Sequence, residues 1–162
     1  MEFLDTLQQT EYGQLLITFL LSMVPVIELR GAIPVGVSMG LSHTSAMLMA
    51  ILGNMVPVPF IILFIRKIFE WLSKKSEPLA RMVKRLETRA EGKWDKVHKY
   101  QFFGLMLLVA IPLPGTGAWT GALVAALMNM RMRSAIPSIL LGVILAGILV
   151  TGITFGFTSV FD

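Results

Sequence analysis

No cysteine occurs anywhere in the 162 residues, and histidine occurs only twice. A disulfide scaffold, a cysteine nucleophile and a thiolate metal site are therefore excluded, and a His-rich metal cluster is not expected. His43 and His98 lie in separate polar segments with no nucleophile–base spacing around them, so the chain does not read as an enzyme, and it calls for no cofactor. Charge is scarce as well. Only 15% of the residues are Asp, Glu, Lys or Arg, against about 25% in an ordinary soluble domain. The first twelve residues carry no Lys or Arg, so the basic start of a secretory signal is missing and the whole sequence is expected to be mature protein.

What is present is apolar: 55% of the residues are hydrophobic, and the mean hydropathy is +0.74. The few charges are unevenly placed. Residues 66–99 hold eleven Lys/Arg and five Asp/Glu, a net +6, while the rest of the chain holds three and five, a net −2. A basic island between two long apolar stretches is the pattern of a multi-pass membrane protein with a cytoplasmic loop. Nothing beyond the basic pI supports nucleic-acid binding, and none is expected.

Two of the apolar stretches, 44–65 and 134–157, are free of charge and long enough as helices to cross a hydrocarbon core of about 30 Å. Two others are interrupted. The run 15–27 meets Glu28, Arg30, Gly31 and Pro34, and the run 102–111 meets Pro112, Pro114, Gly115 and Gly117; in both cases an apolar run resumes beyond. Each interrupted segment is either a kinked spanning helix or a re-entrant hairpin that turns near the midplane. Two crossings, with hairpins at 15–41 and 102–130, put thirteen of the fourteen Lys/Arg on one side, as the positive-inside rule prefers. The re-entrant reading is favoured on that ground.

Sliding the sequence on itself by 89 positions aligns Pro25 with Pro114, Val35 with Val124, Met39 with Met128, Ser45–Ala46 with Ser134–Ala135 and Gly53 with Gly142. The expected fold is therefore all-α and membrane-embedded. It has two inverted repeats, 1–65 and 101–162, each a re-entrant hairpin plus a transmembrane helix, joined by a basic cytoplasmic segment at 66–100. Within that segment Leu79, Met82, Val83, Leu86, Ala90, Trp94 and Val97 recur at helical spacing, beside a stripe of Arg81, Arg85, Arg89 and Lys93. Such a helix either lies on anionic lipid with Trp94 at headgroup depth or packs, solvated, on the membrane domain.

Two constellations carry chemistry. In Glu28–Leu29–Arg30–Gly31–Ala32–Ile33–Pro34, two ionisable residues sit between apolar runs at a cost of roughly 2.5–3.5 kcal/mol each on insertion scales. Gly31 and Pro34 are expected to break the helix there. Arg30 then holds an anionic group and Glu28 carries a proton, or both serve structure, pairing with each other or with backbone N–H groups. In the stretch 112–121, Pro112 and Pro114 remove two donors and three glycines permit tight geometry. Thr116, Thr120 and the N–H groups of the following helix would face the break, and a helix start in low dielectric attracts anions. The alternative is a plain hairpin turn. Asn54, alone in an apolar span, is a weaker candidate that interhelical hydrogen bonding also explains. The eleven Met residues read as packing.

At 28–36 (ELRGAIPVG) and 112–121 (PLPGTGAWTG) the sequence resembles the small multidrug export protein family of prokaryotic membrane proteins, and it is distantly similar to the DedA/VTT superfamily. The resemblance implies two inverted re-entrant hairpins in a prokaryotic inner membrane. Glu28 and Arg30 match the charged residues of the first hairpin, and the Pro-Gly stretch at 112–117 matches the second. Some DedA-like proteins are implicated in moving lipids such as undecaprenyl phosphate; here Thr116 and Trp119 stand where those have an Arg. Three functions follow as expectations: a proton-coupled transporter with a midplane site at Glu28, Arg30, Gly31, Pro34, Pro112, Pro114, Gly115, Thr116, Gly117, Trp119 and Thr120; a lipid flippase or scramblase; or a non-transporting scaffold. The expected partners are the bilayer and a second copy, because two spanning helices enclose little.

The topology is testable because the native chain has no cysteine. Single cysteines at Ser76, Asn129 and Ser159 should react with an impermeant reagent in intact cells only at Ser159. Labelling of Asn129 from outside would remove the two-crossing arrangement.

Overall fold

Along the chain, apolar runs are cut into segments by proline, glycine and polar residues, and the helices follow those cuts. A computed structural model describes residues 9–75, 77, 81, 94–111 and 115–161. Seven helices run through them: α1 (Glu11–Met23), α2 (Glu28–Ser38), α3 (His43–Met55), α4 (Pro57–Lys75), α5 (Trp94–Ala110), α6 (Ala118–Leu127) and α7 (Met132–Phe161). No strand occurs among the described residues. Thr10 caps α1 and Ser42 caps α3 through their hydroxyls, the ordinary way to satisfy a first-turn N–H.

Two spans are long and apolar enough to cross a bilayer, His43–Ile68 and Met132–Phe157, and only 33% and 39% of them is buried. Leu48, Leu52, Phe60, Phe64, Leu141 and Leu149 all point outward. Helices this apolar and this exposed suit hydrocarbon as their solvent. The first span bends where α3 meets α4. Pro57 has no N–H for the Gly53 carbonyl, and the Val56 N–H takes it instead at 3.3 Å, a local tightening that proline imposes.

α1 and α2 fold back on each other. A Cβ on Gly36 would lie 2.7 Å from Thr18 Oγ1, and one on Gly40 would lie 3.9 Å from the Gln14 amide. The far end of α2 therefore returns to the near end of α1, a helical hairpin. The hairpin turns at Val24–Ile27, where Pro25 sits, and not at Gly31 and Pro34 as the sequence suggests. Both of those lie inside α2. A proline within a helix removes one hydrogen bond, which neighbouring helices in an apolar setting compensate; Pro34 is exposed and takes no part in the turn. α5 and α6 make the second hairpin, with Gly121 packed on Val109.

Hydrogen bonds recur at positions 89 apart. α2 closes with Gly40 N–H to Val37 C=O and Leu41 N–H to Gly36 C=O, and α6 closes with Asn129 N–H to Ala126 and Met130 N–H to Ala125. Both are Schellman ends, which require a left-handed residue; Gly40 has φ +108 and Asn129 has φ +50. The first arms match at a spacing of 87. Gly53 of α3 lies against Phe19 and Ser22 of α1, and Gly142 of α7 lies against Met106 and Val109 of α5. α3 and α7 run antiparallel, with His43 on Phe155 at 5.4 Å between rings and Ile51 on Gly147.

Two boundaries differ from the sequence reading. The first spanning helix does not stop at Ile65, since α4 continues to Lys75, well into the basic segment. Trp94 and Val97 belong to α5, the first arm of the second hairpin. Continuous backbone hydrogen bonding outruns the apolar pattern, because polar residues are good helix formers too. Arg85, Arg89 and Lys93 of the expected stripe lie outside the described residues. Arg81 is exposed, 4.0 Å from Glu77.

Close helix approach at small residues predicts a sharp contrast between two glycines. A Cβ on Gly53 would fall 2.2 Å from the Phe19 carbonyl, whereas one on Gly152 meets nothing within 4 Å. Gly53→Ala should cost about 1–3 kcal/mol through forced separation of α1 and α3. Gly152→Ala should be neutral or slightly stabilising in the same thermal unfolding measurement in detergent.

Candidate functional site

Helix ends in an apolar medium leave amides and carbonyls without water to bond them, and both hairpins present such ends at their turns. The structure brings the two turns together. Glu28 opens α2, and its side chain is 6% exposed. Its carboxylate reaches across to the start of α6, where Oε1 accepts from the Trp119 N–H at 3.3 Å. Gly117, the residue before α6, has no side chain to cap that helix, so an acid from the other hairpin does so. Negative charge at a helix N-terminus is also favoured by the helix dipole.

Gly117 is what lets the carboxylate in. A Cβ there would lie 1.7 Å from Glu28 Oε2. Glu28 has φ +47, a left-handed conformation that costs a non-glycine residue roughly 1–3 kcal/mol and persists only where its surroundings enforce it. The turn thus holds a strained glutamate so that its side chain meets α6.

Arg30 serves the opposite pole. Its guanidinium donates to the Ile111 carbonyl at 3.2 Å and to Thr116 Oγ1 at 3.1 Å. Ile111 follows the last residue of α5, so a cation sits at a helix C-terminus, the favourable end. Thr116 Oγ1 donates to the same carbonyl at 2.8 Å. Thr120 Oγ1 donates to the Gly115 carbonyl at 2.7 Å, and Gly115 has φ +80, a conformation open to glycine at little cost. The Trp119 indole N–H donates to the Met23 carbonyl at 3.0 Å, closing the end of α1. Three helix ends are therefore stitched from one hairpin to the other.

Of the residues singled out in the sequence, Glu28, Arg30, Thr116, Gly117 and Trp119 come together, with Gly115 and Thr120 joined to them through the second turn. Pro34 stays on α2 away from the turn, and Gly31, also inside α2, donates its N–H to the Ile27 carbonyl of the turn at 3.0 Å. Pro112 and Pro114 lie outside the described residues. The helix start that sequence reasoning marked as an anion site is occupied by the protein's own carboxylate. Residues missed by that reasoning are the main-chain acceptors Met23 and Ile111 and the polar stripe Gln14, Thr18, Ser22 on α1. Four-residue spacing in an apolar run was the available signal for the stripe. Thr18 and Ser22 are fully buried and bond to carbonyls of their own helix.

A family model described as "Putative small multi-drug export protein" matches residues 28–149, well over half of the chain and starting at Glu28. The chain belongs to this family. The description is of an export protein, not of an enzyme. No curated protein and no solved structure matches the chain. The matched segment runs from Glu28 through the first span and the second hairpin, and ends at Leu149, within α7.

Loss of either stitch should loosen the same place. Gly117→Ala displaces the Glu28 carboxylate, and Trp119→Phe removes the indole donor, worth about 1 kcal/mol. Both should speed amide hydrogen exchange at 115–121 several-fold relative to the start of α7. Unchanged exchange in Gly117→Ala would mean that the carboxylate does not hold α6.

Proposed function

We propose that the chain is a small proton-coupled transporter of the prokaryotic inner membrane. In this reading it works as a homodimer and exports small organic compounds of the kind its family description names. The observation that carries the reading is the meeting of the two helix breaks through Glu28 and Arg30. Broken helices that meet away from either end of the spans are the usual architecture of transporter sites. Charged residues placed among apolar helices are expensive unless they do something there.

The two hairpins are read as re-entrant. α1, α2 and α6 have 13, 11 and 10 residues, about 20 Å or less as helices, too short to cross about 30 Å of hydrocarbon. The recurrence at 87 and 89 positions, with α3 antiparallel to α7, supports an inverted repeat. Each unit crosses once, so the second unit enters from the opposite face. Residues 66–100 and the turn at 129–133 then face the cytoplasm, with Arg81, Arg85, Arg89, Lys93 and Trp94 against anionic lipid. The outward-facing leucines and phenylalanines leave room for a second copy.

Chemically, the ionised Glu28 holds the α6 amide by a charge-assisted bond, worth about 1.5–3 kcal/mol. A proton on that carboxylate removes the charge that favours it at the helix start. The second hairpin's tip is then free to move relative to the first, and a path past the turns opens. Arg30 keeps the end of α5 closed while this happens, so the motion is confined to the α6 side. Deprotonation re-forms the bond and resets the site.

The test is proton-driven flux in proteoliposomes under an imposed pH gradient. Glu28→Gln keeps the shape of the side chain but carries no proton. Flux should fall by about tenfold or more, the factor that corresponds to losing such a bond. Flux that survives unchanged would remove Glu28 from the mechanism. Movement of labelled phospholipid or polyprenyl phosphate without any gradient would instead favour a lipid scramblase.

A further inference from the structure

Asn54 is 0% exposed, and neither atom of its amide has a hydrogen-bond partner among the described residues. Leaving an amide bare in a dry interior costs about 1–3 kcal/mol per group, so the position of this side chain needs a reason. On α3, Ala46, Ala50 and Asn54 recur every fourth residue and form one stripe. All three are fully buried. On α2, Glu28, Ala32 and Gly36 form a matching stripe, buried throughout.

The two stripes meet at their near ends. A Cβ on Gly36 would lie 3.1 Å from the Ala46 Cβ, and a tight turn reverses the chain between α2 and α3. Moving away from that turn by equal steps brings Ala32 level with Ala50 and then Glu28 level with Asn54, about 12 Å from the Gly36–Ala46 contact. Small residues along both stripes let the backbones approach closely. Glu28 directs its carboxylate to α6, and among the described residues Asn54 is left without a hydrogen-bond partner.

We infer that Asn54 is the dock for Glu28 once the carboxylate is protonated. The protonated acid donates its O–H to Asn54 Oδ1 and accepts from Asn54 Nδ2, a cyclic pair that an ionised carboxylate cannot make because it has no proton to give. The proton comes from the aqueous side and returns there. Asn54 is thus a positioning residue: it captures the released side chain and holds it off the α6 amide. The inference rests on Glu28 being the proton carrier.

Few other charges bear on the pair. Arg30 lies on the same helix as Glu28. α1 brings no ionisable side chain beyond Glu11 and Tyr12 in its first turn, and α6 brings none. α3 has only His43, at its far end, and α7 has only Arg133, in its first turn.

Infrared titration of the full chain in lipid nanodiscs tests this without a transported substrate. The protonated carboxyl band of Glu28 is the one that Glu28→Gln abolishes. Asn54→Leu should move its titration midpoint toward acid by about one pH unit, the shift for a tenfold change in proton affinity, and raise the band frequency as hydrogen bonds are lost. Asn54→Ala, which fits any space that Asn fills, should shift both in the same direction. Thermal stability of Asn54→Leu at neutral pH should not fall, since no hydrogen bond is lost in the ionised state. Midpoint and frequency unchanged in both variants would overturn the role of Asn54, with proton carriage by Glu28 intact. Flux insensitive to Glu28→Gln beside a shifted band would overturn the transport reading and leave the Glu28–Asn54 pair standing.

Discussion

The first turn of α6 begins with amides that its own sequence does not cap, because Gly117 has no side chain to bond them. Water would do so at a surface. Among packed apolar helices a carboxylate must come from elsewhere, and it comes from Glu28, more than eighty residues earlier in the chain. That bond is one of those that tie the first hairpin to the second, with the Arg30 and Trp119 side-chain bonds, and it accounts for much else at the centre. It explains why Gly117 is a glycine and why Glu28 has a left-handed backbone. The two charges are tolerated among apolar helices because each sits at the helix pole of opposite sign.

The rest of the architecture serves this meeting. The hairpins must fold back tightly for their turns to face each other, and Gly36 on Thr18 and Gly121 on Val109 do this, while Gly36 on Ala46, Gly53 on Phe19 and Gly142 on Val109 seat α3 and α7 against them. In a lipid environment there is no hydrophobic drive to bring helices together, so close approach of backbones replaces it. Many leucines and phenylalanines are turned outward, while Leu29, Ile33, Ile62, Leu105 and Ile139 fill the core between the helices.

Much of this was legible in the sequence, and for physical reasons. Charge-free runs at 44–65 and 134–157 can do little but span, and the structure has helices there. The two interruptions were equally visible, because charge, proline and glycine stand out in an apolar alphabet. Thr116, Gly117 and Trp119 were legible as a break, and Glu28 and Arg30 as charges that need partners among apolar helices. What was not legible was pairing at a distance. No local pattern says that Glu28 caps α6 rather than binding a substrate, or that Arg30 takes the Ile111 carbonyl. The turn was placed at Gly31 and Pro34 because composition marks weak points in a helix, whereas the fold chose Val24–Ile27. Helix ends were underestimated at Ile65 and Phe102, since hydropathy reports on the solvent and the backbone does not stop where the solvent changes.

The spacing between matching positions changes from 87 before the turns to 89 after them, so two more residues lie between matched positions in the second hairpin than in the first. Only the first hairpin carries an acid and a base next to its turn, at Glu28 and Arg30. A perfectly duplicated pair of units would have equal energies facing either side of the bilayer and would act as an unbiased shuttle. Inserting slack into one hairpin and charge into the other lifts that degeneracy. On the proposed reading the inequality of the halves sets which face the chain prefers at rest, while the gradients set the direction of net transport.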